Sequence, residues 1–124
     1  MKIRIVRNSI RFRLNQPEAY AFSQQQRNTE IMEFAMSRRD RLRVVLQAAR
    51  VDEFAIAFEE YTTTLDVPQQ LISNWTATNL LGFEETIKAR NGKTINGIVE
   101  KNLVWLDKST EENKGIYPNP KVRC

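Results

Sequence analysis

The sequence predicts a mainly β (α+β) domain: a pseudo-twofold β-barrel built from two strand-strand-helix-strand-strand units. Three observations carry this expectation. Apolar residues recur at every second position through most of the chain, and two short stretches switch to a helix-opening signature. Those two signatures, at Asn15 and Asp66, stand 66 − 15 = 51 residues apart. With 124 residues the chain is the length of one domain. Residues 1–108 are read as that domain, with units 1–50 and 51–108, and residues 109–124 as a polar C-terminal tail.

The elements follow in order. Ile3 and Ile5 share one face of a first strand whose other face carries Lys2 and Arg4. After the Asn8-Ser9 turn, Ile10, Phe12 and Leu14 point inward and Arg11 and Arg13 outward. Asn15-Gln16-Pro17-Glu18 is a capping box, which predicts a helix over roughly 16–25 presenting Ala19, Tyr20 and Phe22 to the core. Alternation returns over 29–36, with Met32, Phe34 and Met36 on one side, and Ser37-Arg38-Arg39-Asp40 reads as a polar turn. Leu42, Val44 and Leu46 face inward from the next strand.

The second unit opens with strands at about 53–58, with Phe54, Ile56 and Phe58 inward, and at 61–67, rich in threonine. Asp66-Val67-Pro68-Gln69 reads as a second cap, opening a helix with Leu71, Ile72 and Trp75 on one face. Strands near 81–88 and 94–106 close the chain around an Asn91-Gly92 turn, with Gly97 marking a bulge.

Composition excludes several chemistries. The chain has no histidine, which removes Ser-His-Asp and Cys-His catalysis, histidine metal sites and histidine proton shuttles. The single cysteine, Cys124, leaves no disulfide within the chain. Adjacent carboxylates such as Glu59-Glu60 and Glu84-Glu85 fall on opposite faces of strands, so they form no acid/base pair. The expectation is therefore a protein without catalytic residues, cofactor or metal. No apolar run approaches the roughly 20 residues of a membrane span, and no secretory signal is visible, so the expected location is the cytoplasm, away from membranes.

Charge is uneven. Residues 1–50 hold 11 Lys/Arg against 4 Asp/Glu, and residues 51–124 hold 8 against 11, so the halves carry +7 and −3 and sum to the net +4. Arg4, Arg7, Arg11 and Arg13 on paired strands would present guanidinium groups on one side, suited to bidentate bonds with phosphate. These four are the candidate contacts for nucleic acid or another polyanion. The alternative is a structural or protein-interaction module, homo-oligomeric or meeting a basic partner with its acidic half.

Two resemblances accompany this reading. Met1-Lys2-Ile3-Arg4-Ile5, Asn8-Ser9-Ile10-Arg11 and Arg13-Leu14 match the pattern M-K-I-R-I-x-x-N-S-I-R-x-R-L. With Gly82-Phe83-Glu84, Asn91-Gly92-Lys93-Thr94, Leu106-Asp107, Tyr117-Pro118-Asn119-Pro120 and Cys124, the chain resembles an uncharacterised family of small bacterial proteins, which implies no activity. That family often has a cysteine where this chain has Trp105. Asn8-Ser9, Arg13-Leu14 and the helix that follows are also similar to the AbrB/MazE type of swapped-hairpin DNA-binding domain. This resemblance implies DNA contacts at Arg7, Arg11 and Arg13. The chain departs from it at Val6-Arg7, at Asn15 and at Glu59-Glu60, where the second unit lacks a basic turn.

Overall fold

The computed structural model describes residues 1–102. Its elements are β1 (Lys2–Val6), β2 (Ser9–Leu14), α1 (Gln16–Gln25), β3 (Arg27–Glu33), a 3-10 turn (Arg38–Asp40), β4 (Arg41–Ala49), β5 (Ala55–Glu59), β6 (Thr62–Pro68), α2 (Gln69–Ala77), β7 (Gly82–Lys88) and β8 (Thr94–Lys101). The molecule is mainly β, in two four-stranded sheets ordered β1-β2-β8-β7 and β3-β4-β6-β5. Each sheet takes one hairpin from each half of the chain. The two hairpins meet along central parallel pairs, β2 with β8 and β4 with β6. Among the described residues no ladder joins one sheet to the other, so the arrangement is two sheets rather than a hydrogen-bonded closed barrel.

The pairing registers relate the two halves by 53 residues rather than 51. Lys2 pairs with Arg13 and Ala55 with Asp66; Ser9 pairs with Asn96 and Thr62 with Arg43. Each relation maps onto its counterpart when 53 is added to the first-half residue. Strand β7 lies 55 beyond β3, because the connection after α2 is longer than the single residue Gln26 after α1. A pleated strand repeats every two residues, so offsets of 51 and 53 bury the same faces, and alternation cannot choose between them.

The cap at Asn15 forms as the sequence predicts: Asn15 accepts from the Glu18 amide, and Glu18 accepts from the Asn15 amide. The second cap does not. Strand β6 runs on through Pro68, which pairs with Ala49 and occupies the N-cap without a side-chain bond. Asp66 stays in the ladder and accepts a hydrogen bond from Gln47 at 3.2 Å. Gly97 is no bulge either. It sits in unbroken register between Ile10 and Glu85, where an added Cβ would lie 3.2 Å from Ile87 and 3.4 Å from Leu65 of the other sheet. Its small size lets the sheets approach.

One core runs through both sheets and both helices. It is formed by Ile10, Phe12 and Leu14, Val44, Leu46 and Ala48, Leu65 and Val67, Ile87 and Val99, capped by Ala19 and Phe22 from α1 and Ile72 and Trp75 from α2. Predicted inward positions fail at Tyr20, Leu42 and Phe58, and parts of the predicted apolar rows are exposed as well. Tyr20 lies on the outer side of α1, and Ile5, Met32, Phe34, Met36, Leu42 and Phe58 are exposed. All but Tyr20 lie in the parts of their hairpins toward the turns. Strand β3 ends at Glu33, so Phe34 and Met36 belong to the turn, with Met36 94% exposed. The expected strand over 94–106 is described as far as Lys101; Trp105, Cys124 and the tail 109–124 lie outside the described residues.

Candidate functional site

Helices α1 and α2 each connect the end of one hairpin to the start of the next, so both occupy one end of the molecule. The hairpin turns at 7–8, 34–40, 60–61 and 89–93 therefore share the opposite end. Arg4, Arg7 and Arg11 gather there, while Arg13 lies further along β2 toward α1. Antiparallel pairing sets Arg4 directly opposite Arg11 and Lys2 opposite Arg13 on the outward face of the first sheet. Arg7 occupies the turn itself with φ 52°, a left-handed conformation that costs a non-glycine residue roughly 1–2 kcal/mol.

A groove of about 490 Å³ opens at this turn, lined by Arg4, Arg7 and Arg11, with Val6, Asn8, Ser9, Thr94 and Asn96. No carboxylate is among these lining residues. The Asn8 amide donates to the Thr94 carbonyl at 3.1 Å and Asn96 accepts from the Thr86 hydroxyl at 2.9 Å. Asn96 thereby lines the groove with its oxygen already engaged. Arg4 and Arg7 have no ion-pair partner among the described residues.

The other two candidates are partly spent. Parallel pairing of β2 with β8 brings Glu100 opposite Arg13. Arg13 Nε lies 2.6 Å from the Glu100 carboxylate, and Arg11 Nη1 reaches both of its oxygens at 3.1 Å. Burial works to raise the Glu100 pKa, but the hydrogen bonds from Arg13 and Arg11 outweigh it and hold the carboxyl below its ordinary value. Arg13 faces Glu100 away from the groove, while Arg11 is shared between the two. The expected set of four thus resolves into Arg4 and Arg7 without an ion-pair partner among the described residues, Arg11 shared, and Arg13 engaged with Glu100. The role of Glu100 is not legible in the sequence, because nothing local announces a parallel partner 87 positions after Arg13 (100 − 13).

The seam between β1 and β3 is also polar. The Met1 amine bonds to Glu18 and, at 2.9 Å, to Glu30. Burial opposes the charged amine, yet Glu18 and Glu30 prevail and raise its pKa, while the Glu18 carboxyl is lowered in return against its own burial. The seam on the β5–β7 side is aromatic: Phe83 meets Phe54 edge-on at 5.8 Å and Trp75 at 5.9 Å, and the Trp75 indole donates to the Leu81 carbonyl. Near its turn end Phe58, 67% exposed, lines a second groove of about 460 Å³ with Ile56, Ile95, Arg90 and Asn91. No helix among the described residues is long and apolar enough to cross a membrane.

Comparison with known proteins completes the description. No curated protein and no solved structure matches the chain. The chain belongs to a family of unknown function, DUF7009, whose model matches residues 1–121.

Proposed function

We propose that the protein is a non-enzymatic binding module that holds nucleic acid, or another polyanion, at the Arg4–Arg7–Arg11 groove. The single observation that carries this reading is a groove with three guanidinium groups and no lining carboxylate, two of the three without an ion-pair partner among the described residues. Guanidinium forks match phosphate geometry and stay charged at any working pH. The reading takes residues 1–108 as one domain of two units, 1–50 and 51–108, wrapped as a pseudo-twofold barrel and acting in the cytoplasm without cofactor or metal. Matched registers, shifted by 53 everywhere except at β7, which stands 55 beyond β3, favour the two units. The likeness to AbrB/MazE domains supports only the basic turn, since Arg13 is engaged with Glu100.

The test is equilibrium binding to labelled DNA across a salt series, with an Arg4→Ala/Arg7→Gly double variant. Glycine relaxes the left-handed turn, so a binding loss there is no folding loss. The variant is expected to weaken binding and to lower the salt slope by about 1–2. Absence of binding at low salt, or an unchanged slope, overturns the reading. A second reading, a protein-interaction module or homo-oligomer, is favoured by the exposed Phe34, Met36 and Tyr61 at the same end.

A further inference from the structure

The two grooves at the turn end lie on the two sides of one hairpin. Thr94 and Asn96 of β8 face the cationic groove, while Ile95, between them, faces the groove that Phe58 lines. The β7–β8 turn that separates the grooves carries Arg90 and Lys93, both exposed. Neither groove has a carboxylate lining it among the described residues. Walking across the turn therefore leads from three guanidinium groups, past two further cations, to an exposed aromatic ring in an apolar recess. Phosphate contacts followed by a stacking platform are what an unpaired strand needs, since every base offers a π face.

We infer that the polymer held here is a single-stranded nucleic acid, its phosphates in the Arg4–Arg7–Arg11 groove and a base stacked on Phe58 across the β7–β8 turn. This rests on the polyanion reading above and narrows it. A duplex fits less well for two reasons. Its bases are already stacked inside, out of reach of Phe58. A second strand would also add phosphates at the end of the molecule where Glu59 and Glu60 flank the β5–β6 turn. The nearer carboxylate, Glu59, is met by Arg90 at 3.7 Å, which offsets its charge beside the path of a narrow strand.

The experiment compares deoxyuridine and uridine oligomers with a duplex of equal length, in wild type and in Phe58→Ala. The single strands are expected to bind about tenfold or more tighter than the duplex, and Phe58→Ala to remove about that factor for the single strands alone. Phe58 is exposed, so its truncation leaves the core intact, which circular dichroism verifies. The two oligomers separate DNA from RNA by the 2′-hydroxyl. Equal affinity for duplex, or an unaffected Phe58→Ala, overturns this inference and leaves the polyanion reading standing. Failure of every nucleic acid to bind at low salt removes both.

Discussion

The Arg7–Asn8 turn and the Glu60–Tyr61 turn hold equivalent places in two copies of one motif, and they carry opposite charges. Both begin with a non-glycine residue in a left-handed conformation, φ 52° at Arg7 and 49° at Glu60. The contrast extends down the strands. Counting 53 onward, Lys2 becomes Ala55, Arg4 becomes Ala57, Arg11 becomes Thr64 and Arg13 becomes Asp66. Glu100, which ties Arg11 and Arg13, has Gln47 as its counterpart, and Gln47 bonds to Asp66. The lesson is that the motif tolerates either charge at these outward positions, so the backbone does not require the cations. Under the proposed function, their gathering on one copy alone would serve a single, asymmetric ligand.

Substitutions can break this comparison or sharpen it. The largest effect is expected where the copies are most alike inside. Trp75 stands 53 positions after Phe22, and both are fully buried. Either residue changed to Ala should cost about 3–5 kcal/mol in urea unfolding, with Trp75→Ala the costlier because it also loses the Leu81 bond and the Phe83 edge contact. Equal losses would mean that the aromatic seam adds nothing beyond burial.

Next comes Gly97, whose counterpart in the first copy is Val44. Transplanting that residue, Gly97→Val, should destabilise by about 1–3 kcal/mol, because Ile87 and Leu65 already crowd the site. An unchanged midpoint would show that the sheets can separate there at no cost.

The smallest effect belongs to Glu100→Gln, which gives the first sheet the second sheet's residue. The pair is partly exposed, so the stability loss should be about 1 kcal/mol or less. Freed from Glu100, Arg11 should bind anions more tightly. The pH dependence has a definite sign. The Glu100 and Glu18 carboxyls titrate below their ordinary 4.5 when folded, so their contribution is complete above that value and fades as pH falls through the lowered ones. Glu100→Gln should flatten this acid limb, and an identical limb in the variant would refute the assignment.

Much of this architecture is legible from residue order alone. The α1 boundaries, the Asn15 capping box, the inward row Ile10-Phe12-Leu14 and the Ile72–Trp75 helix face follow from local periodicity, and local periodicity survives folding. The Asn91-Gly92 turn does as well: Gly92, at φ 86°, donates to the Ala89 carbonyl at 3.0 Å. What failed depends on distance along the chain. The exposure of Phe34 and Phe58 depends on how the two sheets meet at the turn end, which no local pattern encodes. The Asp66 cap failed because β4 recruits Pro68 into a ladder. The site was half legible: cations were visible as a cluster, but their division into Arg4 and Arg7 on one side and Arg13 on the other depends on Glu100, a partner from the far end of the described chain.

The central parallel pairs have a consequence for how the chain is made. Strand β2 finds its lateral neighbour β8 only after 87 further residues (Ser9 to Asn96, 96 − 9), so the first hairpin leaves the ribosome long before its sheet exists. Such sequence-distant pairing makes for slow, all-or-nothing assembly. The exposed Arg50–Asp52 link between the halves is then dispensable once both have been synthesised. A chain cut there should reassemble from its two fragments, each shapeless without the other.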